Sequence, residues 1–261
     1  MHLGALYTPS GLALETAQAV LEAENVRAVN VAWGCTNMCK DCFIRYTKPG
    51  EIRYPKIEPV DLVKKQIEGG LKTDGVFISF ETDPLLSKCN LGNTIKLVCY
   101  LVSKDIHVAV LSKLGAVPVV GRQFKNLDGN LYEKVHNIRH GMTIKSADEK
   151  FRKHFEPNAM SIEERIKILH CLKKEDEYTW VSDEPHPCPD IYKQDDQKFW
   201  ESINFVDFII FGKWNYNSLA NTEDARKYYR ETVSKFIDFC NDYGIRYHVK
   251  NKTLDFIKGK S

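Results

Sequence analysis

The chain has 261 residues, 43% hydrophobic and 28% charged, with a formal net charge of +2. That is ordinary globular composition, long enough to bury most of its apolar surface without staples. No run approaches the roughly 18–20 apolar residues of a membrane span, and the near-neutral balance lacks the basic excess that drives phosphate-backbone binding, so no membrane is expected and nucleic acid stays open.

The opening stretch "MHLGALYTPSGLALETAQAV" (1–20) has neither the basic nor the long apolar region of a secretory signal. Residues 1–26 are expected to be an N-terminal extension packed on the rest. "RAVNVAW" (27–33) predicts the first strand. "EPVDLVKKQIEGGL" (58–71) predicts a helix, with Pro59 near its start and Gly69 and Gly70 near its end. "GVFISF" (75–80) reads as a buried strand, "NTIKLVCYLVSKD" (93–105) as a helix opening at an Asn93 cap, and "HVAVLS" (107–112) as the third strand. A short helix or loop is expected over 118–133, then a fourth strand over 136–145 that Gly141 interrupts.

"SIEERIKILHCLKK" (161–174) opens with a capping box, Ser161 and Glu164. Strands five and six are expected over 178–183 and 206–214, and a long helix over 222–244 ending at Gly244. "IRYHVK" (245–250) suits a terminal strand, and 251–261 is left as a tail. Strands alternating with helices, about 30 residues per unit, argue for parallel βαβ units. Six units over 27–250 predict an α/β fold, a partial (β/α)6 barrel of TIM type.

In such folds function gathers where strands end. The segments after the expected strands are polar: the cysteine loop after the first, "ETDP" (81–84), "SKLGA" (112–116), Thr143 and Lys145, "SDEPHP" (182–187) and "GKWNYN" (212–217). Glu184, Lys213, Asn215 and Tyr216 at the later ends are substrate-side candidates, with strand-end solvation as the plainer alternative.

Without a signal, a reducing cytoplasm is expected, where eight cysteines read as metal-binding, catalytic or buried rather than disulfide-bonded. Five are scattered. Cys35, Cys39 and Cys42 cluster in "WGCTNMCKDCF" (33–43). A closed structural zinc needs a fourth ligand, and no second paired Cys or His motif follows. A [4Fe–4S] cube held by three cysteines leaves one iron open. Three thiols that are simply buried are the remaining alternative.

The spacing Cys35-x3-Cys39-x2-Cys42, with an aromatic next to the last cysteine, resembles the signature of the radical S-adenosylmethionine enzymes. Over nearly the whole chain the resemblance is to the branch of spore photoproduct lyase and related DNA repair photolyase-like proteins. It is carried by "LYTPSGLALE" (6–15), "VFISFETDP" (76–84), "VAVLSKLG" (108–115), "FRKHFEPNAMSIEERIKILHCLKK" (151–174) and "WVSDEPHPCPDI" (180–191). The resemblance implies a [4Fe–4S] cluster on Cys35, Cys39 and Cys42 and S-adenosylmethionine chelated to the open iron. An electron from a flavodoxin or ferredoxin would then cleave the sulfonium, and a 5′-deoxyadenosyl radical would take hydrogen from a substrate.

The same resemblance implies roles residue by residue. Phe43 packs near the adenine. Glu81, Thr82 and Asp83 meet the methionyl amine, their plainer reading being a turn before Pro84. Ser112 and Lys113 face the cofactor carboxylate or ribose, and Thr143 points inward. Arg152 and Glu156 match the branch's Arg and Glu-Pro pair, with a helix-cap salt bridge as the alternative. The chain departs from the repair lyase where that enzyme keeps a cysteine before its Thr-Ser-Asp motif: Phe80 and Glu81 stand there. Nucleic acid therefore competes with a peptide or small molecule as substrate. Basic stretches at 44–56 and 249–260 are local, and a non-catalytic electron-transfer protein is the reading of another class.

Overall fold

The computed structural model describes residues 3–44, 50–115 and 137–259. Seven parallel strands form one curled sheet in sequence order: β1 (Val26–Val29), β2 (Gly75–Ile78), β3 (His107–Ser112), β4 (Ile138–Thr143), β5 (Tyr178–His186), β6 (Phe208–Lys213) and β7 (Arg246–Val249). This is the expected half-barrel with one strand more than six, because "IRYHVK" does pair, Arg246–Val249 lying beside Phe208–Phe211.

Side chains alternate across the sheet as pleating requires. Val76, Ile78, Val108, Val110, Val181 and Ile209 point outward into the larger core. Helices pack over them: α2 (Pro59–Glu68), α3 (Lys88–Ser103), α4 (Glu149–Phe155), α5 (Ile162–Lys174), α6 (Asp196–Glu201) and α7 (Glu223–Tyr243), preceded in the chain by α1 (Gly11–Leu21) and followed by α8 (Asn251–Ile257). Ala28, Phe77, Ala109, Trp180 and Ile210 point to the concave side, where Ala17, Val20 and Leu21 of α1 meet them. The N-terminal extension is thus a plug: its helix fills the hollow that the open sheet leaves.

Most elements lie where periodicity puts them. α5 starts at the capping box, with Ser161 Oγ accepting from Glu164 N, and α7 runs from a Thr222 cap to Gly244 at φ +66°. α3 differs. It begins at Lys88, capped by Ser87, rather than at Asn93. Asn90 and Gly92 look like loop residues, but Asn90 is buried and donates from Nδ2 to Asp83 O at 2.9 Å, so a tertiary tie extends the helix backwards. α1, the short helices α4 and α6 and most of the tail (α8) were not expected as helices. The segment expected over 118–133 lies outside the described residues.

Gly141 belongs inside β4: a Cβ there would sit 2.1 Å from the Trp180 ring, so the glycine makes room for a buried indole instead of breaking the strand.

Candidate active site

β1 leads into the cysteine loop, and backbone contacts fix its path. Gly34 sits at φ +92°, and a Cβ there would lie 1.8 Å from Glu51 O, so the position demands glycine. Gly34 N donates to Glu81 O at 3.0 Å, Lys40 N to Phe155 O at 2.8 Å, and Asn158 Nδ2 to Thr36 O at 2.9 Å. The loop is pinned between the ends of β2 and α4. Cys39 is buried; Cys35 and Cys42 are half-buried.

All three cysteines line one cavity of about 340 Å³ at the C-terminal ends of the strands, within the usual range for small-molecule sites. Phe43, Thr82, Asp83, Ser112, Lys113 and Thr143 line it too, as do Glu184, Asn215 and Tyr216. Its inner wall is α1, through Leu12, Ala13 and Thr16.

Asp83 joins the parts. Oδ1 accepts from Ser112 Oγ (2.8 Å) and Leu85 N (3.0 Å); Oδ2 accepts from Lys113 N (2.9 Å) and Asn37 Nδ2 (3.3 Å). One carboxylate therefore ties the end of β2 to the end of β3 and to the cysteine loop. Burial pushes its pKa up against these hydrogen bonds.

Beneath the loop lies a buried charge network. Lys145 Nζ reaches Asp41 Oδ2 at 2.6 Å and Glu156 Oε1 at 2.7 Å; Arg165 Nη1 reaches Glu156 Oε2 at 2.7 Å; Lys113 Nζ reaches Glu156 Oε1 at 3.1 Å and Cys39 Sγ at 3.5 Å. Burial opposes the Glu156 charge, but Lys113, Lys145 and Arg165 outweigh it and hold its carboxyl well below the usual range. Burial likewise opposes the Lys113 ammonium, and Asp41, Cys39 and Glu156 together keep it charged.

Four of the expected site residues are placed elsewhere. Glu81 turns to Asn30, whose Nδ2 it accepts at 3.1 Å, and is not part of the cavity wall. Arg152 bonds Glu149 and the carbonyls of Glu156, Pro157 and Ala159, closing the C-terminus of α4. Glu156 is buried in the charge network under the loop rather than facing the cavity. Lys213 turns away to Asn221 Oδ1 (2.8 Å) and Trp214 O (3.2 Å); burial, then Lys252, pushes its pKa down to about 8.

Sequence reasoning missed Asn37 and Asp41, although both lie within the cysteine loop. Lys145 sits at a strand end that was read but not singled out. Leu12, Ala13 and Thr16 of α1 were not singled out as site residues.

Glu184 owes its place to a neighbour. A Cβ on Gly212 would come within 2.8 Å of Glu184 Cγ, so the side chain lies over the bare strand and enters the cavity wall. Lys250 Nζ stands 3.7 Å from its Oε2 and also bonds Leu12 O (2.8 Å) and Thr16 Oγ1, linking β5 to α1.

Among the described residues no three His, Cys, Asp or Glu side chains stand in metal-binding geometry, so the cysteines share a wall without converging. Burial raises the Cys35 thiol and takes Cys39 to about 11. A metal must displace the thiol proton of Cys39 as it binds. The surroundings fit a cluster and its partner cofactor. The three thiols line one wall, the Lys113 ammonium stands 3.5 Å from Cys39 Sγ, and Asp41 Oδ1 and Asn215 Oδ1 are buried acceptors without a hydrogen-bond partner in the same wall. Such acceptors suit a ligand rich in N–H donors.

No family model and no curated protein matches the sequence. Solved structures do. Spore photoproduct lyase complexed with dinucleoside spore photoproduct superposes with a TM-score of 0.64 at 12% identity, over 86% of this chain and 76% of that one. The fold is that of spore photoproduct lyase. A mutant of that lyase with bound AdoMet and dinucleoside spore photoproduct gives a TM-score of 0.62 at 12% identity, over 95% of this chain and 79% of the lyase. Streptococcus suis SuiB bound to S-adenosylmethionine gives 0.54 at 10% identity, over 87% of this chain but 47% of SuiB. Identities this low establish shared architecture with spore photoproduct lyase; the chemistry has to be argued from the cavity.

Proposed function

We propose that this protein is a radical S-adenosylmethionine enzyme, in which Cys35, Cys39 and Cys42 hold a [4Fe–4S] cluster and S-adenosylmethionine occupies the adjoining cavity. The observation that carries this reading is the Cys-x3-Cys-x2-Cys loop lining one cavity with the ends of β2, β3, β4 and β5. When bound, the pair supplies reductive cleavage of the sulfonium and hydrogen abstraction from a substrate.

The chain's own residues bind and orient. Asp41 Oδ1 and Asn215 Oδ1 offer acceptors to ammonium and amine groups. Asp83 keeps the cysteine loop and the β3 end in fixed relation. Phe43 and Tyr216, 42% and 58% exposed, stand at the mouth where a substrate enters, and Leu12 and Ala13 of α1 close the inner side against water. A flavodoxin or ferredoxin is the expected electron donor, and a cytoplasmic setting suits free thiols. Among the described residues no helix is long and apolar enough to cross a membrane.

Asp41, Asp83 and Glu184 line the cavity against one lysine, Lys113. That balance favours cationic or donor-bearing groups over phosphate. A nucleic-acid substrate would present a base or sugar to this wall, and a peptide or small molecule with N–H groups is the second reading.

Anaerobic purification with iron and sulfide analysis tests the cluster. Reductant and S-adenosylmethionine should then give 5′-deoxyadenosine, and deuterium should pass into it from a true substrate. One bound zinc with no labile sulfide would overturn the proposal.

A further inference from the structure

One cation of the charge network under the cysteine loop also meets a cysteine sulfur. Lys113, Lys145 and Arg165 stand against Asp41 and Glu156, with the Asp83 carboxylate beside the Lys113 backbone. Side-chain exposures are 14%, 0% and 1% for the cations and 3% and 2% for Asp41 and Glu156, so water does little to screen these charges. Buried charge needs a counter-charge. Lys145 sits between Asp41 and Glu156, and Arg165 takes Glu156 Oε2 and Thr143 O. The remaining cation is Lys113, and beyond Glu156 and the more distant Asp41 it faces Cys39 Sγ at 3.5 Å.

We infer that Lys113 is a positioning residue for the iron–sulfur cluster: its ammonium bonds the Cys39 sulfur and raises the cluster's reduction potential. This rests on the proposed cluster and deepens it. The direction follows from charge. Reduction adds one electron to the cluster, and a fixed positive charge at its ligand favours the more negative state. Lys113 was expected to face the cofactor carboxylate or ribose; it lines the cavity, with its ammonium 3.5 Å from Cys39 Sγ. Lys113 N, anchored to Asp83 at 2.9 Å, holds the backbone that presents it.

Removing Lys113 leaves Lys145 on Asp41 and both Lys145 and Arg165 on Glu156, so each of these carboxylates keeps a cation. The test compares wild type, Lys113→Met, Lys113→Gln and Lys113→Arg, reconstituted anaerobically in the full chain and titrated with EPR detection in the absence of S-adenosylmethionine. Lys40→Met, an exposed cation on the same loop, is the control for distant charge.

The expected result is equal iron and sulfide in all, and a more negative potential in the Met variant. We expect roughly a tenfold or larger loss of reduced cluster at fixed applied potential, about 59 mV for a one-electron couple. The Gln variant should fall between, since it donates without charge, and Arg should stay near wild type. If the Met variant fails to assemble a cluster, the Gln and Arg variants carry the comparison. A Met or Gln variant with wild-type potential overturns the inference, as does a Lys40→Met shift as large as that of Lys113→Met. Absence of any cluster in wild type overturns the proposed function itself, and this inference with it.

Discussion

Asp83 has four donors on two oxygens, and that saturation sets what a substitution does. Asp83→Asn puts an NH2 group where two donors already converge, leaving buried N–H groups facing each other. The expected cost is about 1–3 kcal/mol in urea unfolding, together with a fall in iron retained per chain. Gly34→Ala should act more steeply on the same loop, through the clash with Glu51 O, and lower both the melting temperature and iron content. A different residue controls pH response. His186 is buried with Nδ1 2.9 Å from Asp183 and Nε2 3.2 Å from Asp196. Burial alone would lower its pKa, yet the two carboxylates raise it to about 9 from an ordinary 6.5. A raised folded value means its stabilisation is complete below about pH 6.5 and is lost as pH rises through about 9. The unfolding free energy should fall across that window, and His186→Gln should flatten the profile there. At this scale the cysteines were legible from spacing alone. Lys145 meeting Asp41 under the loop was not, because 104 positions separate the two in the chain and only the fold brings them together.

Among the elements, α1 has the most to answer for. It supplies Ala17, Val20 and Leu21 to the concave core and Leu12, Ala13 and Thr16 to the cavity. Deleting residues 1–23 would leave Phe77, Ala109 and Trp180 facing water. The shortened chain should bind ANS and lose a cooperative thermal transition. A finer test is the anchor. Lys250→Met removes bonds to Leu12 O and Thr16 Oγ1 and strips Glu184 of its cation, for an expected loss of about 1–3 kcal/mol. A double-mutant cycle with Thr16→Val should show coupling of at least about 0.5 kcal/mol. The strands and long helices were legible because each carries a period: outward Val and Ile on strands, and a capping box at Ser161. Residues 1–26 were expected as an extension packed on the barrel, with no helix named in it. An amphipathic stretch shows that it has an apolar face and does not say which hollow receives it.

The whole molecule is a sheet open between β1 and β7, closed from inside by a helix and topped by the cavity. Because the cysteine loop is pinned by backbone bonds rather than by its thiols, the apo protein should fold without iron. Cys35→Ala/Cys42→Ala should therefore keep the apo melting temperature to within a few degrees. Loading wild type with iron and sulfide should raise that temperature, and chelation after oxidation should return it, since a ligand held by the native state alone stabilises by mass action. Low identity to spore photoproduct lyase and to SuiB fits this arrangement: the barrel is specified by a pattern that many sequences satisfy, and the cavity wall by a few residues that need not agree.

Gly212 shows how cheaply that wall could be rewritten. It has no side chain of its own in the cavity, yet it decides whether Glu184 can lie there. An added methyl group at 212 would evict the carboxylate and turn an acidic pocket toward neutral without altering any residue that a ligand touches. Position 212 is therefore a hidden dial on ligand choice, one strand removed from the surface that does the choosing.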